Sequence, residues 1–307
     1  MSDSKRSVTK PYRQPLGDKL WRNFVIGVPY FWLLLFFLAP FAIVLKISFA
    51  TPIVALPPFT PLLDFSANAS HWLLATWDNY RFLTEDNLYW VSYFKSIKIA
   101  AISTFICLLI GYPMAYGIAR ATPTTRNILL MLVILPFWTS FLLRVYAWMG
   151  LLGKNGIVNS LLMNIGLIDT PLQMLYTDMA VYIGIVYTYI PFMILPLYAT
   201  LEKMDTSLHD AAADLGAKPW QTFIDVTLPL SMPGIIAGSL LVFIPAIGEY
   251  VIPALLGGID SLMIGRTLYD EFFVNRDWPL ASAVATLLLI IVVIPIMLFQ
   301  RSQQEQE

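Results

Sequence analysis

The chain has 307 residues, of which 58% are apolar and 13% charged, and its formal net charge is −1. Soluble globular domains have roughly 45–50% apolar and 25% charged residues, so an ordinary soluble domain is excluded. The near-zero net charge gives no reason to expect nucleic-acid binding. The single cysteine, Cys107, lies in an apolar run. We expect it to be buried, with no intrachain disulfide or thiolate metal cluster.

Six apolar stretches are long enough to cross a bilayer as helices, which takes about 20 residues each. The predicted spans are residues 24–49, 97–118, 127–152, 179–198, 234–256 and 280–299. We therefore predict an all-α membrane protein with six transmembrane helices. Its predicted parts are an N-terminal tail (1–23), a transmembrane domain (24–300) and a C-terminal tail (301–307). The first span is longer than the apolar core of a secretory signal, which favours an uncleaved anchor.

Lysine and arginine residues indicate the orientation of the spans. They are more numerous in the two tails and in the loops after the second and fourth spans than in the remaining loops. Because cytoplasmic loops carry the excess of positive charge, we expect both termini in the cytoplasm. On the opposite side, residues 50–96 combine an early proline cluster with a later aromatic one. This favours a segment lying on the membrane surface or, alternatively, a contact for an external protein.

The loop between the fourth and fifth spans, residues 201–233, contains its own signals for a short helix. Ser207 and Asp210 have the spacing of a capping box at a helix start. Three strong helix formers follow at residues 211–213. Gly216 then suits the left-handed conformation that commonly ends a helix.

A second short helix is predicted in the same loop. Pro219 suits its first position, and the helix is expected to end before Pro229. It carries large apolar side chains, namely Trp220, Phe223 and Ile224. Clustered apolar groups outside a bilayer need a cover, so the sequence predicts either a docking surface or a hairpin packed on its own membrane domain.

This loop resembles the signature loop of ABC-importer permeases, in which Glu-Ala-Ala is followed by a glycine and, further on, by Leu-Pro. The matching residues here are Asp210, Ala211, Ala212, Gly216, Ala217, Phe223 and Pro229. The resemblance implies a coupling helix that seats in a cleft of a cytoplasmic ATPase and transmits its closure. Asp210 replaces the usual glutamate and is one methylene shorter, so we expect it to cap the helix.

The resemblance extends over nearly the whole chain. Residues 127–152, 181–197, 243–258 and 271–283 look like polyamine permeases, and the putrescine type is the closest fit. This implies a type I ABC-importer permease of the bacterial inner membrane. The implied partners are two copies of an ATPase, a second homologous permease subunit and a periplasmic polyamine-binding protein. ATP and Mg²⁺ would be used by the ATPase, and no cofactor is expected on this chain.

Two ionisable residues lie well inside predicted spans, where an unpaired charge is costly. Counted along straight helices at 1.5 Å per residue, Arg144 and Glu249 lie at similar depths, about 25 and 22 Å from the inner face. They are therefore expected either to pair with each other or to leave Glu249 facing the path of a cationic substrate. Gly248, with Pro245 and Pro253 flanking it, is expected to loosen the helix there.

A polyamine also favours aromatic faces, because cation–π contacts are worth roughly 0.5–2 kcal/mol each. Aromatic residues at a suitable depth are Tyr146, Trp148, Tyr187, Tyr189 and Tyr250. Each has an alternative interpretation as a packing or interfacial residue.

Motifs of an enzyme are missing from the sequence. There is no GxxxxGK[ST] phosphate loop and no G-x-S-x-G elbow. The two histidines, His71 and His209, are predicted on opposite sides of the membrane, so no shared metal site is expected. The alternatives to a putrescine importer are an ABC permease for another small substrate such as spermidine, an ion-coupled secondary transporter, or a membrane-embedded enzyme.

Overall fold

The structure, a computed structural model, describes residues 16–61 and 75–304. These ranges are helical apart from connecting loops and one antiparallel bridge between Pro52 and Phe59. The longer helices are α1 (Leu16–Leu33), α2 (Ala39–Ile47), α4 (Asn87–Arg120), α5 (Pro123–Ile134), α6 (Phe141–Leu152), α8 (Asp178–Glu202), α12 (Met232–Ile247) and α15 (Trp278–Gln304). The shorter ones are α3 (Asp78–Glu85), α7 (Ile157–Asn164), α9 (Ser207–Asp214), α10 (Pro219–Thr222), α11 (Leu228–Leu230), α13 (Val251–Leu256) and α14 (Ile264–Tyr269).

Three continuous helical stretches are long and apolar enough to cross a membrane. They are Trp21–Ile47, Asn87–Arg120 and Asp178–Glu202. These stretches correspond to the first, second and fourth predicted spans. None of the most apolar part of the first is buried inside the described chain.

The third and fifth predicted spans are bent. Pro123–Trp138 meets Phe141–Asn164 at 92°, and Pro219–Leu230 meets Met232–Ile247 at 64°. By length and composition the described residues thus hold three candidate spans, or up to five if each bent pair is one span. The sixth predicted span falls on α15. The apolar helix Trp278–Val293 is shorter than the 18 residues required of a candidate span, so the sixth span stays a prediction. The all-α class is confirmed.

The centre of the molecule is formed by α4, α8 and α12, which pack against one another. Small residues let these helices approach closely, as at helix contacts in membranes. A side chain at Gly238 of α12 would meet the Met193 sulfur of α8 at 2.8 Å, and one at Gly111 of α4 would meet the Met193 side chain at 3.0 Å. Cys107 is fully buried in this core, as predicted.

Different elements meet at the two ends of this bundle. At one end, here named the Arg120 end, α4 and α8 finish and the 201–233 loop begins, and Arg126 forms an ion pair with Glu202 at 2.5 Å. At the other, the Asp178 end, Lys95 of α4 lies 3.3 Å from the Asp178 carboxylate. The Ser261 hydroxyl also donates to Asp178, at 2.5 Å. Polar contacts therefore join neighbouring elements at both ends.

Candidate functional site

A break in the helical chain places Glu249 inside the bundle. Helix α12 ends at Ile247, and α13 begins at Val251. The three residues between them include Gly248, and α14 packs closely against its backbone because residue 265 of α14 is also a glycine. A Cβ at Gly265 of α14 would lie 2.3 Å from the Gly248 carbonyl oxygen. The loosened helix predicted from Gly248 and its flanking prolines is therefore present.

The Glu249 carboxylate is held by three hydrogen bonds. Its Oε1 accepts the backbone N–H groups of Val251 at 3.0 Å and Ile252 at 3.4 Å. Its Oε2 accepts the Tyr189 hydroxyl of α8 at 2.6 Å. Glu249 is only 9% exposed. A negative charge at a helix start is favourable because unpaired N–H groups point toward it, so α13 itself stabilises this carboxylate.

Arg144 does not pair with Glu249, contrary to the first of the two expectations. Its guanidinium lies 5.4 Å from the centre of the Phe137 ring and 5.9 Å from that of Phe141. Its Nε and Nη1 are buried and have no hydrogen-bond partner among the described residues. The equal depths assumed a straight third span, whereas the chain turns by 92° just before α6. Counting residues along one axis therefore misplaced Arg144.

The predicted aromatic residues separate into two groups. Tyr189 bonds to Glu249, and Tyr250 follows it directly in the helix break. Trp148 and Tyr187 instead pack edge to face at 5.4 Å in a groove lined by apolar residues of α4 and α8. Tyr146 is half-exposed on α6. Only the first group therefore adjoins the carboxylate.

Two aromatic residues beside the helix break were missed in the sequence. Tyr269 stacks face to face on Tyr250, with 4.7 Å between ring centres and 9° between planes. Phe273 follows at 4.7 Å from Tyr269. Their i, i+4 spacing on one helical face was a usable signal. Nothing in the sequence, however, showed that this face meets Tyr250.

The 201–233 loop has the predicted two-helix form. Gly216 adopts a φ of +82°, the left-handed conformation that favours glycine. The N–H of Gly216 donates to Ala213 O at 2.9 Å, and the N–H of Ala217 donates to Ala212 O at 3.0 Å, which ends α9. Pro219 opens α10, as predicted.

The start of α9 differs from the prediction. The carboxylate that accepts the first free N–H is Asp205, which bonds to Ser207 N at 2.9 Å. This backbone hydrogen bond is also the main reason why the pKa of Asp205 is lowered. Asp210 is exposed and makes no side-chain hydrogen bond within the described chain. The capping box and side-chain capping by Asp210 are therefore wrong, although Asp210 lies in the first turn of α9, at the electropositive helix start, as predicted.

The second helix of the loop does not end before Pro229. A π-helical turn, Phe223–Thr227, joins α10 to α11, and Pro229 lies inside α11. Proline lacks an N–H and would interrupt an α-helical ladder. The shifted bonding of a π-turn lets the chain stay helical up to the bend at Ser231.

Large apolar side chains remain uncovered on this loop. Leu215 is 88% exposed, Trp220 60% and Ile224 49%. Asp210 and Ala211 are exposed on the neighbouring α9. The uncovered set of Asp210, Ala211, Leu215, Trp220 and Ile224 is named the loop surface below. Such a patch is typical of an interaction site.

Comparison with known proteins shows the family. A family model described as "Binding-protein-dependent transport system inner membrane component" matches residues 107–304, more than half of the chain. The spermidine/putrescine transport system permease protein PotB of Haemophilus influenzae is 39% identical over 284 residues, covering 92% of this chain and 94% of that protein. PotB of Escherichia coli is 42% identical over 232 residues, covering 76% and 84%.

A solved structure has the same fold. It is a bacterial ABC transporter involved in the import of the acidic polysaccharide alginate, with a TM-score of 0.65 and 17% identity. The alignment covers 95% of this chain and 99% of that one. The all-helical permease architecture and the inner-membrane, multi-pass location are thus confirmed, as is the prediction that this chain is not the ATPase. The chain belongs to the family of binding-protein-dependent transport system inner membrane components.

Proposed function

We propose that the chain is the transmembrane subunit of an ATP-driven importer that moves polyamines from periplasm to cytoplasm by alternating access. The observation that carries this proposal is the sequence identity of 39%, over 92% of the chain, to a spermidine/putrescine permease. Putrescine is the substrate predicted from the sequence. Spermidine is the second candidate, because the names of these relatives include both amines. The shared fold does not determine the cargo, since one protein with this fold imports an acidic polysaccharide.

The helix break offers suitable groups for a protonated amine. Glu249 supplies a carboxylate inside the bundle, and beside it Tyr250 stacks on Tyr269, which contacts Phe273 in a tilted arrangement. A passing ammonium group would replace the Tyr189 hydroxyl at Oε2, while Oε1 stays bonded to α13. The stack would then receive the charge through cation–π contacts. Tyr146 and Trp148 lie apart from this stack, and we place them in the walls of the path.

The loop surface is the proposed docking site for a cytoplasmic ATPase. Its apolar groups are uncovered, and Ala211, Ala212 and Ala217 give a second surface close access to the backbone. We include Gly216, Phe223 and Pro229 in the proposed coupling element, because they determine the path of the backbone through this loop. This orientation puts the Arg120 end and both termini in the cytoplasm and the Asp178 end in the periplasm.

The remaining partners follow from the same proposal. A second permease subunit and membrane lipid would cover the exposed apolar stretch Trp21–Ile47. A periplasmic polyamine-binding protein would deliver the substrate, and two ATPase copies would bind ATP and Mg²⁺. An ion-coupled secondary transporter would need none of these partners, so dependence on ATP and copurification of an ATPase separate the two functions.

The experiment is uptake by cells carrying the complete transport system with Gly216→Pro in this chain. Proline requires a φ near −65° and lacks the N–H that bonds to Ala213, so it cannot occupy a position at +82°. We expect ATP-dependent polyamine uptake to be abolished while the chain still inserts in the membrane.

Gly117→Ala is the matched control, because a Cβ there meets nothing within 4 Å and uptake should remain normal. The ATPase should copurify with the wild-type chain. Normal uptake by Gly216→Pro, or a wild-type chain that transports without an ATPase, would contradict the proposal.

A further inference from the structure

Helix α9 is largely exposed, and one of its side chains hydrogen-bonds to other elements of the described chain. Its residues are exposed except for His209 and Ala212, which are half-buried. Within the described residues, the side-chain hydrogen bonds from α9 to other elements are made by His209. It lies 3.3 Å from Arg120 Nη2 and 2.9 Å from Thr227 Oγ1.

The imidazole of His209 contacts both partners at once. Arg120 Nη2 lies 3.3 Å from each of its two ring nitrogens, and because a guanidinium can only donate, it donates to the nitrogen that carries no proton. His209 Nε2 and Thr227 Oγ1 are 2.9 Å apart and share a hydrogen bond whose direction depends on the tautomer. The Thr227 hydroxyl is also 3.5 Å from the Thr222 carbonyl oxygen.

The two partners of His209 lie at the end of α4 and in the π-turn that precedes α11 and α12. Arg120 is the last residue of α4, and its guanidinium lies 5.4 Å from the centre of the Tyr116 ring. Thr227 is buried at 1% exposure, in the π-turn that continues through α11 into α12. A displacement of α9 would therefore pull on α4 and α12 together through His209.

A second link in the loop does not involve α9. Phe223 packs edge to face on Tyr112 of α4 at 5.5 Å, and the Tyr112 hydroxyl is 2.9 Å from Ser231 Oγ. This link holds the helix after Gly216 against α4. It involves no residue of α9, whose side-chain hydrogen bonds to other elements, within the described residues, come from His209.

We infer that His209 is a positioning residue for energy coupling, which transmits the movement of a docked ATPase from α9 to α4 and α12. The inference rests on the proposed function, because it takes the loop surface as the docking site. The helix and cap signals of the loop sequence do not predict this role of His209. The residue acts through Arg120 and Thr227 and touches no substrate.

The test compares His209→Ala with His209→Gln in the complete complex in proteoliposomes, with uptake and ATP hydrolysis measured in the same vesicles. Alanine removes both hydrogen bonds. We expect the amount of polyamine imported per ATP to fall about tenfold, with the ATPase still bound and active. Glutamine keeps one acceptor and one donor, so it should restore coupling to within about threefold of wild type.

A double-mutant cycle with Arg120→Ala tests the link itself. If both residues act through one contact, the double variant should couple no worse than His209→Ala alone. Thr124→Ala is the surface control, because Thr124 is an exposed residue of α5 at the same end and should leave coupling unchanged.

Each outcome decides the inference. Unchanged import per ATP in His209→Ala would overturn it, as would His209→Gln as defective as His209→Ala, or multiplicative losses in the double variant. If His209→Ala loses the ATPase, restored binding and coupling in His209→Gln would support the link, and failure of both would overturn it. A wild-type chain that binds no ATPase would instead refute the proposed docking function itself.

Discussion

Two helix breaks in this protein each carry a charged residue, but they treat the charge in opposite ways. At the first break, Arg144 lies in the opening turn of α6, and two of its buried N–H groups lack partners within the described chain. At the second, Glu249 precedes α13 and is bonded on both carboxylate oxygens. The difference follows from the direction of a helix, because its start presents N–H donors and positive potential.

A helix start therefore stabilises an anion and not a cation. Glu249 obtains two of its three bonds from the backbone of α13 without any further residue. Arg144 receives no such help and lies against the rings of Phe137 and Phe141. Breaking a helix inside the bundle thus creates a place for a buried carboxylate.

The largest effect is expected from Glu249→Ala. This change leaves the N–H groups of Val251 and Ile252 and the Tyr189 hydroxyl without their acceptor. An unsatisfied buried donor costs about 1–3 kcal/mol, so we expect the thermal stability of the detergent-purified chain to fall strongly and polyamine uptake to be lost.

Two milder substitutions should cause smaller losses of stability and uptake than Glu249→Ala. Glu249→Gln keeps an acceptor oxygen but removes the charge, so uptake of a dication should fall about tenfold with a smaller loss of stability. Tyr189→Phe removes one hydrogen bond and should cost about 1 kcal/mol. Equal stability of Glu249→Ala and wild type would show that the bonds to α13 are unimportant.

A smaller effect is expected from Arg144→Met. Methionine keeps an unbranched side chain over the two rings and removes a buried charge that has no ion-pair partner in the described chain. Replacing such a group by an apolar one is commonly neutral or stabilising, so thermal stability should be unchanged or raised.

The double variant Glu249→Gln with Arg144→Met distinguishes this view from an ion pair. Independent residues give additive changes within about 0.5 kcal/mol. A rescue of the Glu249→Gln defect by Arg144→Met would revive the pair that the geometry excludes.

The smallest effect is expected from Asp277→Asn, at another helix start. Asp277 Oδ1 accepts the Leu280 N–H at 3.0 Å, but burial, with a smaller contribution from Glu271, raises the pKa of this carboxyl. The charged form is thus disfavoured in the folded chain, and stability declines as the pH rises through the raised pKa. Asparagine keeps the acceptor, so melting temperatures at pH 7 should be equal or slightly higher.

The pH dependence provides the check on Asp277. Below the ordinary aspartate pKa of about 3.9, the wild-type carboxyl is neutral and the difference between variant and wild type should vanish. A variant that is clearly less stable at pH 7 would show that the charge at this helix start is favourable after all, as it is at Glu249.

Hydropathy predicted the helical segments because a bilayer fixes the length of an apolar span, and α8 matches its predicted range within a few residues. Local signals also succeeded where they describe one residue's own backbone, as at Gly216 and Pro219. Such local signals did not predict the angles at which consecutive helices meet. The bends before Phe141 and at Ser231 lie close to Pro136 and Pro229, but a proline marks a possible interruption without setting the angle of the bend.

The candidate site was predicted only in part for the same reason. Glu249 was found because a charge in an apolar run is conspicuous, and Tyr189 because it is an aromatic residue at a suitable depth. Their contact joins residues 60 positions apart, and no local pattern specifies it. Tyr269 and the His209 link were missed because the first lies in a segment predicted to be a loop, and the second depends on where α4 ends.

The most direct test of the transport function is competitive uptake into proteoliposomes containing this chain, its partner permease, the ATPase and the polyamine-binding protein. ATP-dependent uptake of labelled putrescine would be measured against excess unlabelled putrescine, spermidine, amino acids and an acidic oligosaccharide. We predict uptake that requires ATP and is inhibited by the two polyamines but not by the other competitors. Uptake inhibited by amino acids or the oligosaccharide, or no polyamine uptake at all, would contradict the proposed function.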